Sequence, residues 1–443
     1  MAWDRTDLEA RLCRALDISG KAVGLFAGDG YVDSELPENS FGPEKLIAET
    51  AMLIYAASAA SPLASVTRRV SEVARLLLPH ARSERTLLNM ALHPALCLDF
   101  AFPHILLSEL GYRDPVFDGF LKSCLESRSR HGHERPPVAA AEKLWIEALW
   151  RGETPGASWR NSLRNTVLNR PIDLLGGQRD DAYALTHLFM YCTDFGFRPG
   201  RFPRKRALIL DEAGSLLAKC LDSEDYDLAG EVVMAWPLTG APWSASAAFG
   251  FRVLAGVEDA IGVLPGGTTR ADRLNRLEGS EKDRYAFGTA YHTAYVTGLL
   301  CAASLRPRRA PPTSITGPRI NATLLDHLID RIDHDQGHWQ SEFLKLKRPE
   351  QESLGSFLLD ILIVQKCRKR DYGAVHELLA TADKFQAARS PLCGQAAELL
   401  GRLSGYAQAV APRSLASNEA HAVFGKGGTA RRDKNPGGPV PLH

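Results

Sequence analysis

Four residues of one predicted helix, Tyr183, His187, Tyr191 and Asp194, follow one another at intervals of four, four and three. An α-helix brings such positions onto one stripe. Ala184, Leu185, Leu188, Phe189 and Met190 surround that stripe with apolar side chains. A second predicted helix carries Tyr285, Gly288, Thr289, His292 and Tyr295 in similar register, with small residues at Ala290, Ala294 and Gly298 that admit close approach of a helix or a ligand. A buried imidazole or phenol without a partner costs about 1–3 kcal/mol, so these groups must bond one another, water or a ligand. Read as a catalytic set, His187 or His292 transfers a proton and Asp194 orients an imidazole or stabilises a cation. Tyr183, Tyr191, Tyr285, Thr289 and Tyr295 then bind substrate. The competing reading is a satisfied buried network that only fixes helix packing.

Other signals are weaker. His93, Asp99 and His104 could add to the same site, but Pro94 and Pro103 put both histidines at helix starts or kinks. The run DHLIDRIDHDQGHW (326–339) is metal-like, with His327, His334 and His338 near Asp330, Asp333 and Asp335. Gly337 interrupts its helix, and the Glu of a His-Glu-x-x-His motif is absent, so a solvated, salt-bridged helix is favoured. No metal and no cofactor is assigned. Gly28-Asp29-Gly30 and Gly266-Gly267 lack the Lys-Ser/Thr of a phosphate loop. Asp180-Asp181 and the group Asp222, Asp225 and Asp227 are read as helix caps.

These residues need a scaffold, and the composition supplies one. The chain has 443 residues, 45% hydrophobic and 24% charged, enough for a large core. Its net charge of +1 excludes a whole-chain field that would draw it to nucleic acid or an anionic membrane. Eight scattered cysteines form no Cys-x-x-Cys pair and no zinc knuckle, so they read as buried hydrophobes of a reducing compartment. Asp4, Arg5, Asp7, Glu9 and Arg11 stand where a signal peptide needs apolar residues, and no apolar run reaches membrane-spanning length, so a cytoplasmic protein is expected. The 39 arginines against 14 lysines fit a GC-rich bacterial genome.

Apolar residues return every three or four positions almost everywhere, which predicts an all-α fold. Helices are expected at 44–60, 62–78, 84–92, 94–110, 114–127, 137–151, 159–168, 180–195, 203–221, 225–236, 243–261, 281–304, 320–335, 351–370, 372–384 and 391–410. Ser61, Ser83, Asp180, Asp225 and Ser244 are the expected N-terminal caps, and Gly30, Gly111, Gly196 and Gly240 the expected turn or helix-end glycines. Short connections suggest stacked helical hairpins closing into an (α/α) toroid or a short superhelical array. Residues 1–42 are an N-terminal segment and 43–305 the main helical domain. The stretch RPRRAPPTSITGP (306–318) cannot continue a helix and marks a linker. A helical subdomain follows at 319–410, and the Gly/Pro-rich composition of 411–443 predicts a disordered tail with a basic cluster at Lys426, Arg431, Arg432 and Lys434.

The segments LHPALCLDFAFPH (92–104), YALTHLFMYCTDFG (183–196), DLAGEVVMAWPLTGAPWS (227–244) and YHTAYVTGLLCA (291–302) together resemble an uncharacterised all-helical actinobacterial family often found near natural-product biosynthesis genes. The resemblance covers about 43–305 and implies specialised metabolism without implying an activity or any catalytic residue. The expected function is a metal-independent tailoring enzyme acting by acid/base chemistry on a small-molecule or carrier-bound intermediate, as a cyclase, lyase or isomerase. The alternative is a non-catalytic helical-repeat protein that binds a peptide or a pathway enzyme.

Overall fold

The computed structural model describes residues 3–60, 62–332, 337–387 and 389–423. Ser61, the residues Asp333, His334 and Asp335 of the metal-like run, and the basic cluster Lys426, Arg431, Arg432 and Lys434 lie outside them. Among the described residues there is no strand, only one isolated antiparallel exchange of backbone hydrogen bonds between Tyr31 and Phe41, both 2.9 Å.

The helices in chain order are α1 (Arg5–Phe26), α2 (Pro43–Ala57), α3 (Ala64–Ala81), α4 (Glu84–Leu92), α5 (Cys97–Glu109), α6 (Pro115–Leu125), α7 (Pro137–Trp150), α8 (Ala157–Ser162), α9 (Arg179–Thr193) and α10 (Arg206–Asp222). They continue with α11 (Tyr226–Val233), α12 (Ala235–Thr239), α13 (Ala245–Ile261), α14 (Ala271–Arg276), α15 (Gly279–Ser304), α16 (Ala322–Ile329), α17 (His338–Leu344), α18 (Arg348–Glu352), α19 (Gly355–Arg368), α20 (Tyr372–Lys384) and α21 (Pro391–Val423). Contacts group Met1–Gln395 into one compact unit and Ala396–His443 into a second. Within the second unit α21 runs on through 411–423, where the sequence predicts a polar tail, because SLASNEAHAV is rich in good helix formers.

The all-α expectation holds, and most helix positions agree. Ser83, Asp225 and Ser244 each accept a backbone amide at the start of α4, α11 and α13. Asp180 does not cap: α9 starts one residue earlier, and Gln178 and Asp181 close a reciprocal capping box. The four expected glycines all have positive φ, from 63° to 95°.

The longest helix missing from the sequence reading is α1; the short α14 and α17 are missing from it too. Asp4 caps the Asp7 amide at 2.9 Å, and Leu8, Leu12, Ala15, Leu16, Ala22, Val23 and Phe26 recur at helical spacing and are buried. The charges that argue against a signal peptide belong to this helix. Arg11, only 2% exposed, donates to Asp7 at 2.9 Å, to Asp259 at 2.7 Å and to Glu258 of α13 in a still closer contact.

Helix α15 is the core of the first unit, buried on nearly every face from Tyr285 to Ser304. It packs most extensively on α1, and also on α2 and α11. The small residues of its stripe serve this packing: a Cβ at Gly298 would lie 2.7 Å from Ala15 Cβ and from Leu53 Cδ1, and one at Gly288 would strike the Tyr31 ring. Residues 306–318 are helix-free, as their prolines require. Arg309 there donates to the carbonyls of Pro237 and Leu238 at 2.7 and 3.0 Å. Helices α17 and α19 pack on α13 and α10, so elements on both sides of this stretch share one compact unit. No single helix among the described residues is long and apolar enough to cross a membrane.

Candidate functional site

Side chains of α2, α5, α7, α9, α11 and α15 line a cavity of about 1080 Å³. In α9 the four-residue spacing sets Tyr183, His187 and Tyr191 along the wall. The Asp225 cap starts α11 so that Asp227 and Glu231, one turn apart, reach the same space from below. Helix α15 supplies Tyr291 and His292, and α2 supplies Glu49.

His292 is the hub. Its Nδ1 stands 3.2 Å from Glu49 Oε2, and its Nε2 stands 3.2 Å from Asp227 Oδ1 and 3.8 Å from Glu231 Oε1. Burial alone would lower the pKa of His292, but Glu49, Asp227 and Glu231 together hold it well above the ordinary imidazole value. Burial likewise opposes ionisation of Asp227, and its contacts with His292 and then Tyr183 override it, bringing the carboxyl down to about 2. Tyr183 donates to Asp227 Oδ2 at 2.5 Å, and Thr186 donates to Glu231 Oε2 at 2.5 Å. The imidazole of His187 lies on the other side of Glu231, with Nε2 3.8 Å from Oε2. Asp227, Glu231 and His292 each offer one ligand atom within 4.8 Å of the others, and this is the set that could hold a metal ion.

On the opposite wall Tyr191 donates to Glu142 Oε1 at 2.6 Å while its ring stacks on Trp145, centroids 4.9 Å apart. Burial pushes the Glu142 carboxyl up, only partly offset by the Tyr191 hydrogen bond. Glu142 therefore keeps a proton at higher pH than a surface glutamate. Asp99 closes this side through its ion pair with Arg135, 2.8 Å between Oδ1 and Nη1.

Of the sequence-predicted residues, the structure brings His187, His292, Tyr183 and Tyr191 together on the cavity. Thr289 and Tyr295 border it, but their hydroxyls are used elsewhere: Thr289 donates to the Tyr285 carbonyl at 2.9 Å, and Tyr295 pairs with Thr50 at 2.9 Å. Tyr285 lies off the cavity, accepting from the Arg270 amide at 2.9 Å under the Arg273 guanidinium. Asp194 is also removed from the site. Helix α9 ends at Thr193, Asp194 takes a left-handed conformation (φ 50°), and its Oδ1 accepts from Tyr55 and Trp145 at 3.0 and 3.2 Å. The stripe breaks because the helix does.

Of the other histidines named from the sequence, His104, His93, His327 and His338 lie off the cavity. His104 is fully buried between Arg82 and Asp118, 3.0 and 3.1 Å, and stacks on Phe117, while His93 is exposed at the end of α4. In the metal-like run His327 bonds Arg331, a cation that opposes metal binding, and His338 pairs with Tyr226 at 3.0 Å and Glu224 at 3.2 Å.

Sequence reasoning missed Glu49, Glu142, Asp227 and Glu231. The sequence places Asp227 among capping aspartates, and Asp225 is indeed the cap, but Asp227 and Glu231 form an i, i+4 carboxylate pair in an otherwise apolar helix. That pairing, and the lone Glu49 within KLIAETAMLIYAA, were the available signals.

Residues 12–302 match a family described as a domain of unknown function (DUF6895), and the chain belongs to that family. No curated protein and no solved structure matches it.

Proposed function

We propose, starting from membership of the DUF6895 family, that this chain is an enzyme of specialised metabolism that moves protons on a small molecule held in the α2/α5/α7/α9/α11/α15 cavity, as a cyclase, lyase or isomerase does. The observation that carries the reading is the convergence of polar side chains from six helices, far apart in sequence, on one space large enough for such a substrate. Glu142 is the acid/base group of the proposal. Burial raises its pKa above that of an exposed glutamate, which favours the proton-bearing form, and Tyr191 positions it.

The wall also bears on the substrate. Eight lining side chains are Asp or Glu against one Lys and one Arg, a field that favours a neutral or amine-bearing molecule over a phosphorylated one. Walls drawn from helices spread over the first unit support a closed (α/α) toroid around the cavity. A reducing, cytoplasmic compartment belongs to the same proposal, supported by eight unpaired cysteines.

The test is genetic and chemical. The gene is deleted in the strain that encodes it, and small-molecule profiles are compared after complementation with wild type, Glu142→Gln or Tyr191→Phe. The expected result is a metabolite restored by wild type and not by Glu142→Gln, with its precursor accumulating. Full restoration by Glu142→Gln, with the variant folded by circular dichroism, overturns the catalytic reading and leaves the cavity a binding site for a small molecule.

A further inference from the structure

Two carboxylates of the cavity are held by their far oxygens and turn their near ones toward His292. Asp227 is fixed through Oδ2 by Tyr183 and Arg179, and Glu231 through Oε2 by Thr186, while His292 Nδ1 stands 3.2 Å from Glu49 Oε2 without an aligned hydrogen bond. Asp227 Oδ1 and Glu231 Oε1 stand 3.2 and 3.8 Å from His292 Nε2, and the three residues offer ligand atoms within 4.8 Å of one another. They do not satisfy one another. Asp227 is only 9% exposed, yet its Oδ1 has no hydrogen-bond partner, because the 3.2 Å approach of His292 is misaligned. The Tyr291 hydroxyl beside them, in a residue 2% exposed, is likewise unpartnered.

We propose that Asp227, Glu231 and His292 form a binding site for one divalent first-row metal ion, with Glu49, Tyr183 and Thr186 as the residues that orient the ligands. Bonds of about 2.1 Å place ligand atoms of a single ion roughly 3.0 to 4.2 Å apart. The separations of 3.2 and 3.8 Å from Nε2 already fall in that range. A carboxylate behind the non-ligating nitrogen of a histidine is the usual support for a metal-bound imidazole, which here is Glu49 behind Nδ1. One imidazole and two carboxylates, with no cysteine in the lining, select the Mn²⁺-to-Zn²⁺ group over Ca²⁺ or Cu⁺. The remaining coordination positions face the cavity, where water or a substrate oxygen is polarised.

This deepens the enzyme reading and rests on the cavity being the working site. The test uses no substrate, so its failure leaves the complementation result standing. Full-length protein is stripped with a chelator, and Zn²⁺ and Mn²⁺ alone are titrated by calorimetry, with bound metal counted by elemental analysis. One ion per chain is expected, with a rise in Tm. Stoichiometric binding is lost in His292→Ala and Asp227→Asn, and affinity falls about 10- to 100-fold in Tyr183→Phe and Glu49→Gln. His338→Ala, on the surface, binds as wild type. If His292→Ala does not fold, Glu231→Gln takes its place. Fewer than about half an ion bound per wild-type chain at millimolar metal overturns the proposal, as does unchanged binding in the folded ligand variants.

Discussion

Tyr183 of α9 and Asp227 of α11 are joined by a 2.5 Å hydrogen bond across the cavity wall, and Asp227 is thereby held for the His292 side of the site. The phenol donates to an ionised, largely buried carboxylate, the strong kind of neutral-to-charged hydrogen bond. Tyr183→Phe is expected to cost about 1–3 kcal/mol of stability in urea denaturation. A loss below about 0.3 kcal/mol would show that the phenol does not hold the carboxylate.

Asp194 separates structure from chemistry. Asp194→Ala strips the acceptor from Tyr55 and Trp145 and puts alanine at φ 50°, so a loss of about 2–4 kcal/mol is expected. Asp194→Asn keeps the acceptor oxygen and tolerates the conformation but gives up the 3.2 Å ion pair with Arg198, and should lose less than the alanine variant. The folded Asn variant should restore the metabolite of the deletion strain as wild type does. Failure to do so would return Asp194 to the catalytic set.

Arg11 is buried among Asp7, Glu258 and Asp259. Arg11→Ala leaves Glu258, 6% exposed, with only the peripheral Arg14 at 3.1 Å, and should cost about 3–5 kcal/mol. Arg11→Lys should fall between, because one ammonium cannot bridge three carboxylates as a guanidinium does. Equal urea midpoints for wild type and Arg11→Ala would contradict this account of how α1 is anchored.

Asp360 of α19 predicts a pH dependence. Burial pushes its carboxyl up to about 7, with Ser390, Ser215 and Cys393 only partly offsetting the burial. The folded chain therefore holds a proton that the unfolded chain, at its ordinary value of 3.8, has already released. Between those values stability falls as pH rises, by up to about 1.4 kcal/mol per unit. The contribution is fully present below pH 4 and gone above pH 7. Asp360→Asn should flatten this slope, so its Tm relative to wild type climbs from pH 5 to pH 8. Parallel Tm curves across that range would show that Asp360 is ionised throughout.

The helical class and the two polar helices were legible because periodicity and i, i+4 spacing are properties of the chain itself. His187, Tyr183 and Tyr191 meet the cavity for that reason. Asp194 shared their stripe on paper and left it because a single left-handed residue ends the helix, which a wheel projection does not register. Glu49 and Glu142 were illegible for the opposite reason. A solitary glutamate in an apolar helix reads as its solvent-facing position until other helices cover it. The aspartates at 225 and 227 show the limit at its finest: Asp225 caps a helix and Asp227, two residues on, faces His292.

The family match begins at residue 12 and ends at residue 302, whereas α1 begins at Arg5 and α15 runs to Ser304. A fragment trimmed to the limits of sequence similarity would discard Arg11, the one guanidinium that bridges α1 to Glu258 and Asp259, and would strip α19 from α10. The span that relatives share and the span that bears load are thus different lengths. A recombinant piece cut at those limits would misreport the whole protein, showing a weakened scaffold where an inactive site was inferred.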